Sequence, residues 1–365
     1  MSHAPLRPAA PAAESLSVSV AMGTYNGEKY IREQLDSLAS QSRLPLELVI
    51  TDDGSTDATL DIVEAFRQTA PFIVRVYRNE SRLGFADNFL KAAALCRGDL
   101  IAFCDQDDIW MADKLRICTA SFADPEVLLV IHSAQTLWGD GRRGRFYPEF
   151  TRTRVLPFGS CDPISSVPGF AMMTRSELLK MADSRGCRPA KVYNHDLWAW
   201  FLAASAGRIV TLADVLALYR QHESNAFGAR RKRTMLQSLQ DGARIFDYGD
   251  VADYELACAQ ILSRAGDTSP ERWRQSLKTS ARRMVSRSRL HRIRARLYNP
   301  SSGALVKLKT FVTLMFLGAY LPDRARYRLG MLAAIKDLFI AIGRFPPTTA
   351  APAPLELQRR QQPAE

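Results

Sequence analysis

The chain has 365 residues, and its 49 Lys and Arg outnumber its 38 Asp and Glu to give a formal net charge of +11 at pH 7. A chain of this length can hold an α/β domain of about 210 to 230 residues and a helical appendage, each with its own core. Six cysteines without a Cys-x-x-Cys spacing predict reduced core thiols rather than a disulfide scaffold.

Strand and helix patterns alternate along the first part of the chain. Four segments have the apolar or alternating pattern of strands, at residues 16–22, 47–51, 73–77 and 100–103. Apolar residues at helical spacing follow each of the first three segments. Strands that alternate with helices predict an α/β fold with a mostly parallel, doubly wound sheet flanked by helices. The loops at Thr24, Asp53 and Asp105 would then share one edge of the sheet and one crevice.

Three carboxylates follow the fourth of these segments, at Asp105, Asp107 and Asp108. Repulsion between crowded carboxylates raises their pKa values or destabilises the loop unless a cation or a basic partner neutralises them. Ligands that are all oxygen suit Mg²⁺ or Mn²⁺ better than zinc. An acidic turn is also a common form of solvated loop, because Asp favours turns through local hydrogen bonds. The cluster alone therefore leaves a cation site and a plain loop open.

The sequence lacks two common nucleotide-binding motifs. No Gly-x-Gly-x-x-Gly follows the first strand and no Gly-Lys-Ser/Thr occurs, so neither a dinucleotide fingerprint nor a Walker motif is present.

Six other motifs, which occur in a fixed order, bear on the choice between a cation site and a plain loop. The motifs are Gly-Thr-Tyr-Asn-Gly at 23–27, Asp-Asp-Gly-Ser-Thr-Asp at 52–57, Gly-Phe at 84–85 with Asn88, Asp-Gln-Asp-Asp-Ile-Trp at 105–110, Asn-His-Asp-Leu-Trp at 194–198 and Tyr-Arg-Gln-His at 219–222. In these motifs residues 16–228 resemble the inverting nucleotide-sugar glycosyltransferases of family 2, which have the GT-A fold. Within that family they resemble the rhamnosyltransferase-like branch of surface polysaccharide synthesis.

The resemblance implies where a nucleotide-sugar donor binds. Thr24, Tyr25 and Asp53 are implied to hold the nucleotide base. The resemblance also implies that Asp105 lies on the ribose side of the donor site. It implies that Asp107 holds the divalent metal, Mn²⁺ or Mg²⁺, that bridges the diphosphate. A metal acting as a Lewis acid stabilises the charge on the departing diphosphate, while the sugar passes through an oxocarbenium-like transition state.

Three further residues have more than one possible role. Asp108 is a metal ligand, an acceptor beside the metal or the N-terminal cap of the next helix, and we keep it as a metal-site residue. His222 follows a strand. By the resemblance to GT-A enzymes, in which a His near the end of the domain has this role, it contacts either the diphosphate or the metal. The alternative is a polar surface residue. By the resemblance, Gly169 lies under the donor or acceptor sugar, whereas Met172 and Met173 are expected in the core.

Asp196 is the residue that the resemblance implies as general base, which removes the proton of the acceptor hydroxyl. It begins the apolar run at 197–202, and the low polarity of a buried helix raises a carboxylate pKa toward its working range. The alternative is an Asp in a first helical turn, stabilised by the helix dipole. His195 is expected to be a pocket-wall residue, because adjacent helical side chains do not share a face.

The positive charge belongs to the last part of the chain. Residues 229–365 contain 25 Lys and Arg against 11 Asp and Glu, a net charge of +14, whereas residues 1–228 contain 24 against 27, a net charge of −3. Ten of the arginines in this part form two groups, Arg282, Arg283, Arg287, Arg289, Arg292, Arg294 and Arg296 in one and Arg324, Arg326 and Arg328 in the other.

An apolar segment at 305–321 lies between the two arginine groups. Its uncharged part, 310–322, is shorter than the about 20 apolar residues of a membrane span. Flanked by cations, it predicts a helix that lies on an anionic membrane surface. An Arg-rich helix of an ordinary helical domain is the alternative. Aromatic residues for base stacking are missing from 281–296, so no nucleic-acid partner is expected.

These inferences divide the chain into a disordered tail at 1–15, a GT-A domain at 16–228, a basic helical region at 229–345 and a disordered tail at 346–365. No signal-peptide pattern is present, so we expect a cytoplasmic, peripheral location on the inner face of the cytoplasmic membrane. The expected reaction transfers a sugar from dTDP-rhamnose, or from a UDP- or other dTDP-sugar, to a lipid-linked or growing surface glycan. A catalytically silent membrane scaffold of the same fold and an Arg-rich nucleic-acid-binding protein are the alternatives.

Overall fold

The computed structural model describes residues 13–146, 149–161, 168–183, 194–222, 248–321 and 331–342. Its strands are β1 Val18–Thr24, β2 Glu47–Asp52, β3 Ile73–Arg78, β4 Leu100–Cys104, β5 Ile109–Trp110, β6 Val127–Trp138, β7 Arg143–Arg145, β8 Arg154–Leu156, β9 Met172–Arg175 and β10 Arg208–Gln221. Its helices are α1 Ile31–Ala39, α2 Thr59–Arg67, α3 Phe85–Leu95, α4 Lys114–Ala120, α5 Ser176–Asp183, α6 His195–Ala206, α7 Tyr248–Thr268, α8 Glu271–Tyr298, α9 Ala304–Phe316 and α10 Met331–Ala341.

One sheet runs through the fold in the order β3-β2-β1-β4-β9-β6-β10-β5, with β7 beside β6 and β8 beside β10. The four strands predicted from the sequence, β1 to β4, pair in parallel. Strand β9 is antiparallel to both β4 and β6, while β6 and β10 are parallel to each other. The predicted α/β class, with a central sheet flanked by helices, is therefore confirmed. The sheet is parallel from β1 to β4 and mixed beyond, because β9, β5, β7 and β8 each pair antiparallel with a neighbour.

Parallel register sets the position of the loops. Thr24 at the end of β1 is opposite Asp52 at the end of β2, and Met22 is opposite Cys104 at the end of β4. The loops that follow these three strands therefore lie at one edge of the sheet, as the sequence predicted. Strands β2 and β4 are buried along their whole length, because helices cover both faces of the sheet.

The C-terminal helices extend the main core and add a second one. Cys258 and Leu262 of α7 and Trp273 and Met284 of α8 belong to the same buried cluster as the sheet. A second cluster joins the end of α8 to α9 and α10, with members that include Leu297, Phe311, Leu314, Tyr320 and Ile340. None of the described helices is both long enough and apolar enough to cross a membrane.

A buried ion pair links α8 to α10 inside the second cluster. The guanidinium of Arg294 donates three hydrogen bonds to the Asp337 carboxylate, at 2.6 to 2.9 Å. The hydroxyls of Tyr298 and Tyr320 donate to the same carboxylate at 2.6 and 2.8 Å. Asp337 is fully buried, so these donors replace the water that its charge would otherwise bind.

Some predictions fall on residues outside the described ranges. They concern most of both terminal tails, the second arginine group at 324–328, Cys187 and the boundary at residue 228. None of the five described cysteines is in a disulfide. Met172 and Met173 are buried in the core, as expected.

Candidate active site

The loops after β1 and β2 are tied together by side chains. Thr24 is 1% exposed, and its hydroxyl donates to Oδ2 of Asp52 at 2.9 Å. Oδ1 of Asp52 accepts from the main-chain nitrogens of Gly54 and Ser55 at 3.0 and 2.9 Å. Asp52 therefore ties the loop after β1 to the loop after β2, while the neighbouring Tyr25 is 38% exposed.

Asp53 holds the loop before α3. Its Oδ1 accepts from Nδ2 of Asn79 at 2.9 Å and from the nitrogen of Leu83 at 2.7 Å, and its Oδ2 accepts from the nitrogen of Gly84 at 2.8 Å. Gly84 has a φ of 80°, which favours glycine. The neighbouring Arg82 places its guanidinium carbon 4.1 Å from the ring centroid of Tyr25.

Gln106 joins the first loop to the acidic loop. Its side-chain amide accepts from the nitrogen of Tyr25 and donates to the carbonyl of Tyr25, both at 3.0 Å. Sequence reasoning singled out the neighbouring carboxylates and missed this residue, although it lies inside the same motif. The pair of hydrogen bonds places Tyr25 beside the carboxylates.

Asp105, Asp107 and Asp108 offer carboxylate oxygens that all lie within 4.8 Å of one another. Burial, together with the charges of Asp107 and Asp196, raises the pKa of Asp105 to about 8. Burial also raises the pKa of Asp108, with the charges of Asp107 and Asp105 acting in the same direction. A bound cation would remove this penalty by stabilising the ionised carboxylates.

Asp108 does not cap the following helix, so the capping interpretation is wrong. Helix α4 begins at Lys114, and Asp113 is at its N-cap position. Asp108 is fully buried, and its Oδ1 accepts from the main-chain nitrogen of Arg220 at 3.0 Å. Its Oδ2 has no hydrogen-bond partner among the residues that the structure describes. A buried oxygen without a partner in an acidic cluster is a suitable cation ligand.

His222 reaches this cluster from the end of β10. Its Nε2 lies 2.8 Å from Oδ2 of Asp107, and its side chain is 13% exposed. The structure thus brings His222 to the carboxylates rather than to an exposed surface. Three carboxylates and one imidazole fit a hard divalent cation such as Mn²⁺ or Mg²⁺, for which Asp107, Asp108 and His222 are the candidate ligands.

Asp196 lies in the first turn of α6, which begins at His195 and is almost entirely buried from Trp198 onward. Oδ1 of Asp196 accepts from the nitrogen of Leu197 at 2.6 Å. The charge of Asp196 raises the pKa of Asp105, so the two carboxylates are near enough to repel each other.

His195 is buried in an aromatic cage. Its ring centroid lies 4.1 Å from that of Phe89, 4.8 Å from that of Phe103 and 6.4 Å from that of Phe85. Burial lowers the pKa of His195 to about 3, so the imidazole is neutral. Gly169 begins a single helical turn, Gly169–Ala171, that packs against this ring.

Lys114 is a buried cation beneath the site that sequence reasoning missed. It is fully buried, its Nζ donates to the carbonyl of Phe170 at 2.6 Å, and Nζ lies 3.5 Å from the ring centroid of Trp110. Burial lowers the pKa of Lys114 to about 8. Its charge in turn lowers the pKa of Asp105 and Asp108. A lysine at a helix start is ordinarily exposed, so the sequence carried no signal for it.

Comparisons with known proteins bear on the family to which the chain belongs. The profile of Glycosyl transferase family 2 matches residues 19–180. The dTDP-rhamnosyl transferase RfbG of Shigella flexneri is 30% identical over 225 residues, which cover 57% of this chain and 74% of that protein. An uncharacterised protein of Mycobacterium tuberculosis is 30% identical over 223 residues, which cover 59% of this chain and 63% of that protein. The chain therefore spans less than two thirds of the length of this mycobacterial relative.

One solved structure supports the fold alone. The crystal structure of residues 1–349 of S. aureus TarS matches with a TM-score of 0.52 at 19% sequence identity. The match covers 90% of this chain and 92% of the TarS chain, so it includes the C-terminal helices as well as the sheet.

Proposed function

Because this chain belongs to glycosyl transferase family 2 and has the GT-A fold, we propose that it is an inverting, metal-dependent glycosyltransferase. It moves a sugar from a nucleotide-sugar donor to a lipid-linked or growing cell-surface polysaccharide. The observation that carries the proposal is the convergence of Asp105, Asp107 and Asp108 with His222 and Asp196 at one edge of the sheet. Residues 16–228 carry this site in the proposal, and residues 229–345 form the basic helical region.

The donor in this proposal is dTDP-rhamnose or another dTDP- or UDP-sugar. Similarity to a dTDP-rhamnosyl transferase supports this choice. The exposed ring of Tyr25 offers a face for the nucleotide base, and the Asp53 carboxylate holds the Leu83–Gly84 main chain next to it. In this proposal Asp105 is on the ribose side of the donor. Gly169 lies near the sugar.

The two carboxylate sites have different roles in the proposed reaction. Asp107 and Asp108, with His222, would hold a divalent cation, which when bound supplies the positive charge that a departing diphosphate needs. Asp196 accepts the proton of the acceptor hydroxyl on the opposite face of the sugar, and this geometry inverts the anomeric centre. Asp196 comes directly before the buried apolar body of α6, which anchors the start of this helix.

A membrane partner is supported by the outward face of α9. Leu305, Val312 and Phe316 are spaced to share one side of this helix and are 65%, 39% and 88% exposed. Thr310 and Leu314 are buried on the opposite side. An exposed apolar helix face in a region of net charge +14 fits an anionic membrane surface, which places the enzyme next to a lipid-linked acceptor. The peripheral location on the inner face of the cytoplasmic membrane is part of this proposal.

Two substitutions test the assignment of roles. Asp107→Asn should weaken metal-dependent binding of the donor, whereas Asp196→Asn should leave donor affinity nearly unchanged and reduce transfer by about 10²- to 10⁴-fold. The measurements are calorimetry with a panel of nucleotide sugars, with and without Mn²⁺, and a transfer assay. The matched control is Asp61→Asn, at an exposed position on α2.

The outcomes separate the alternatives. Transfer at a near-normal rate by Asp196→Asn would return Asp196 to a role at the helix start, and another base would have to act. A wild-type protein that binds donor but neither hydrolyses nor transfers it would be a silent scaffold. Salt-sensitive retardation of nucleic acid in a gel, without donor binding, would support the nucleic-acid-binding alternative.

A further inference from the structure

Arg220 contacts the acidic loop twice from the end of β10. Its side chain is 10% exposed, and its Nε donates to the main-chain carbonyl of Asp107 at 2.8 Å. Its main-chain nitrogen donates to Oδ1 of Asp108 at 3.0 Å. A terminal guanidinium nitrogen, Nη2, donates to Oε2 of Glu33 on α1 at 2.7 Å. One residue thus connects the acidic loop, the last strand of the site and the first helix.

Tyr30 contacts both Arg220 and His222. The guanidinium carbon of Arg220 lies 4.6 Å from the centroid of the Tyr30 ring. The His222 ring lies 4.8 Å from the same centroid, tilted by 33°. Because Nε2 of His222 is 2.8 Å from Oδ2 of Asp107, the orientation of Tyr30 also bears on the side chain of Asp107.

These contacts hold Asp107 from two directions. Arg220 fixes its main chain, and Tyr30 supports the imidazole beside its carboxylate. The planar guanidinium donates in two directions while its face packs on a ring, which a lysine ammonium cannot do.

We propose that Arg220 and Tyr30 are positioning residues that set the geometry of Asp107 and His222 for a divalent cation. This inference rests on the proposed function, because it assigns a role within the same metal site. It predicts that the arrangement of the ligands, and not only their presence, depends on two residues that do not themselves bind the metal. Partners that orient metal ligands typically contribute about 10- to 100-fold to metal affinity.

The test measures Mn²⁺ binding directly on the full chain, without turnover. Calorimetry and electron paramagnetic resonance are run with Mn²⁺ and dTDP or UDP. Arg220→Met and Arg220→Lys should weaken Mn²⁺ binding by roughly 10- to 100-fold and alter the Mn²⁺ spectrum. Tyr30→Leu should weaken it in the same direction, whereas Tyr30→Phe, which keeps the ring, should restore wild-type binding.

The control is Arg32→Met, on the same helix as Glu33. Arg32 pairs with Asp36 on the surface, where their side chains are 60% and 53% exposed. The Arg32→Met protein should therefore bind Mn²⁺ as the wild-type protein does. Circular dichroism checks that each variant is folded, and Tyr30→Leu and Arg220→Lys keep the test valid if Arg220→Met does not fold.

Two results would overturn the proposal in different ways. Wild-type Mn²⁺ affinity and an unchanged spectrum in folded Arg220→Lys and Tyr30→Leu would remove the positioning role and leave the metal site intact. A wild-type protein that binds no Mn²⁺ with either nucleotide would overturn the metal site of the proposed function, and the positioning role with it.

Discussion

Gly169 and His195 are in such close contact that a Cβ atom on Gly169 would lie 2.2 Å from Nε2 of His195. The imidazole has little room to retreat, because Phe89 stacks on it at 4.1 Å and Phe103 lies at 4.8 Å. The glycine is therefore required for close approach. Since Asp196 follows His195 directly in the first turn of α6, this contact bears on the position of the proposed base.

We expect Gly169→Ala to reduce the rate of sugar transfer, because a displaced His195 shifts the start of α6. The added methyl group should also lower the free energy of unfolding by about 1–3 kcal/mol, as overpacking of a core does. Urea unfolding and a transfer assay measure the two effects. Gly139→Ala is the matched control, because no atom lies within 4 Å of a Cβ atom built there. Equal behaviour of the two variants would contradict the prediction.

His195 should make the protein less stable in mild acid. Burial lowers the pKa of His195 to about 3 from an ordinary value of 6.5, so between these pH values the unfolded chain binds a proton that the folded chain does not. The free energy of unfolding therefore falls as the pH drops below 6.5. At about 1.4 kcal/mol per pH unit, this residue accounts for up to about 2 kcal/mol between pH 6.5 and pH 5.

Replacing the imidazole should remove this dependence. The His195→Leu protein should have a lower free energy of unfolding than wild type at every pH, because packing is lost. Between pH 7 and pH 5, however, its free energy of unfolding should fall by up to about 2 kcal/mol less than that of wild type. Urea unfolding at both pH values gives the comparison. Phe66→Leu, at a buried ring on α2 that does not titrate, should keep the wild-type dependence on pH. An unchanged dependence in His195→Leu would show that other groups cause the acid sensitivity.

The ion pair between Arg294 and Asp337 should be essential to the second hydrophobic cluster. Asp337→Ala leaves the buried Arg294 guanidinium without its carboxylate, which costs about 3–5 kcal/mol. Hydrogen exchange should show faster opening of α10 and of the end of α8. Asp253→Ala is the control, because its pair with Arg292 is exposed on both sides and is worth about 0–1 kcal/mol. Exchange in α10 that is unchanged by Asp337→Ala would contradict the prediction.

The outward face of α9 should be required for membrane binding. Replacing both Leu305 and Phe316 with Ser should lower partitioning onto anionic vesicles at least tenfold, because burying each such side chain stabilises by about 1.5–3 kcal/mol. Co-sedimentation measures the bound fraction. Ile73→Ser, which removes an equally apolar side chain that is 57% exposed on β3, should have no effect.

Salt separates the contribution of charge from that of insertion. Raising the salt concentration should weaken binding of the wild-type protein to anionic vesicles, because the arginines of α8 are then screened. Co-sedimentation that neither salt nor the double substitution in α9 changes would reject the membrane surface and favour an ordinary helical domain.

Local patterns determined much of what the structure contains. The first four strands follow from runs of apolar residues, and their shared edge follows from the parallel register that alternating strands and helices impose. The acidic cluster was predictable because Asp105, Asp107 and Asp108 lie in one short loop directly after a strand. The burial of α6 also followed from its apolar sequence. In each case the pattern that made the prediction possible is visible in the sequence itself, although the strands that pair are far apart along the chain.

Tertiary packing alone decided the rest. From the sequence alone, Asp108 could have been a helix cap. The structure instead begins the helix at Lys114, and the Asp108 carboxylate accepts a hydrogen bond from Arg220, 112 residues away. His222 reaches Asp107 across 115 residues, and Lys114 reaches Phe170 across 56. Such contacts depend on how strands and helices pack rather than on any local pattern, so a lysine that folding buries is indistinguishable in the sequence from one that stays in water.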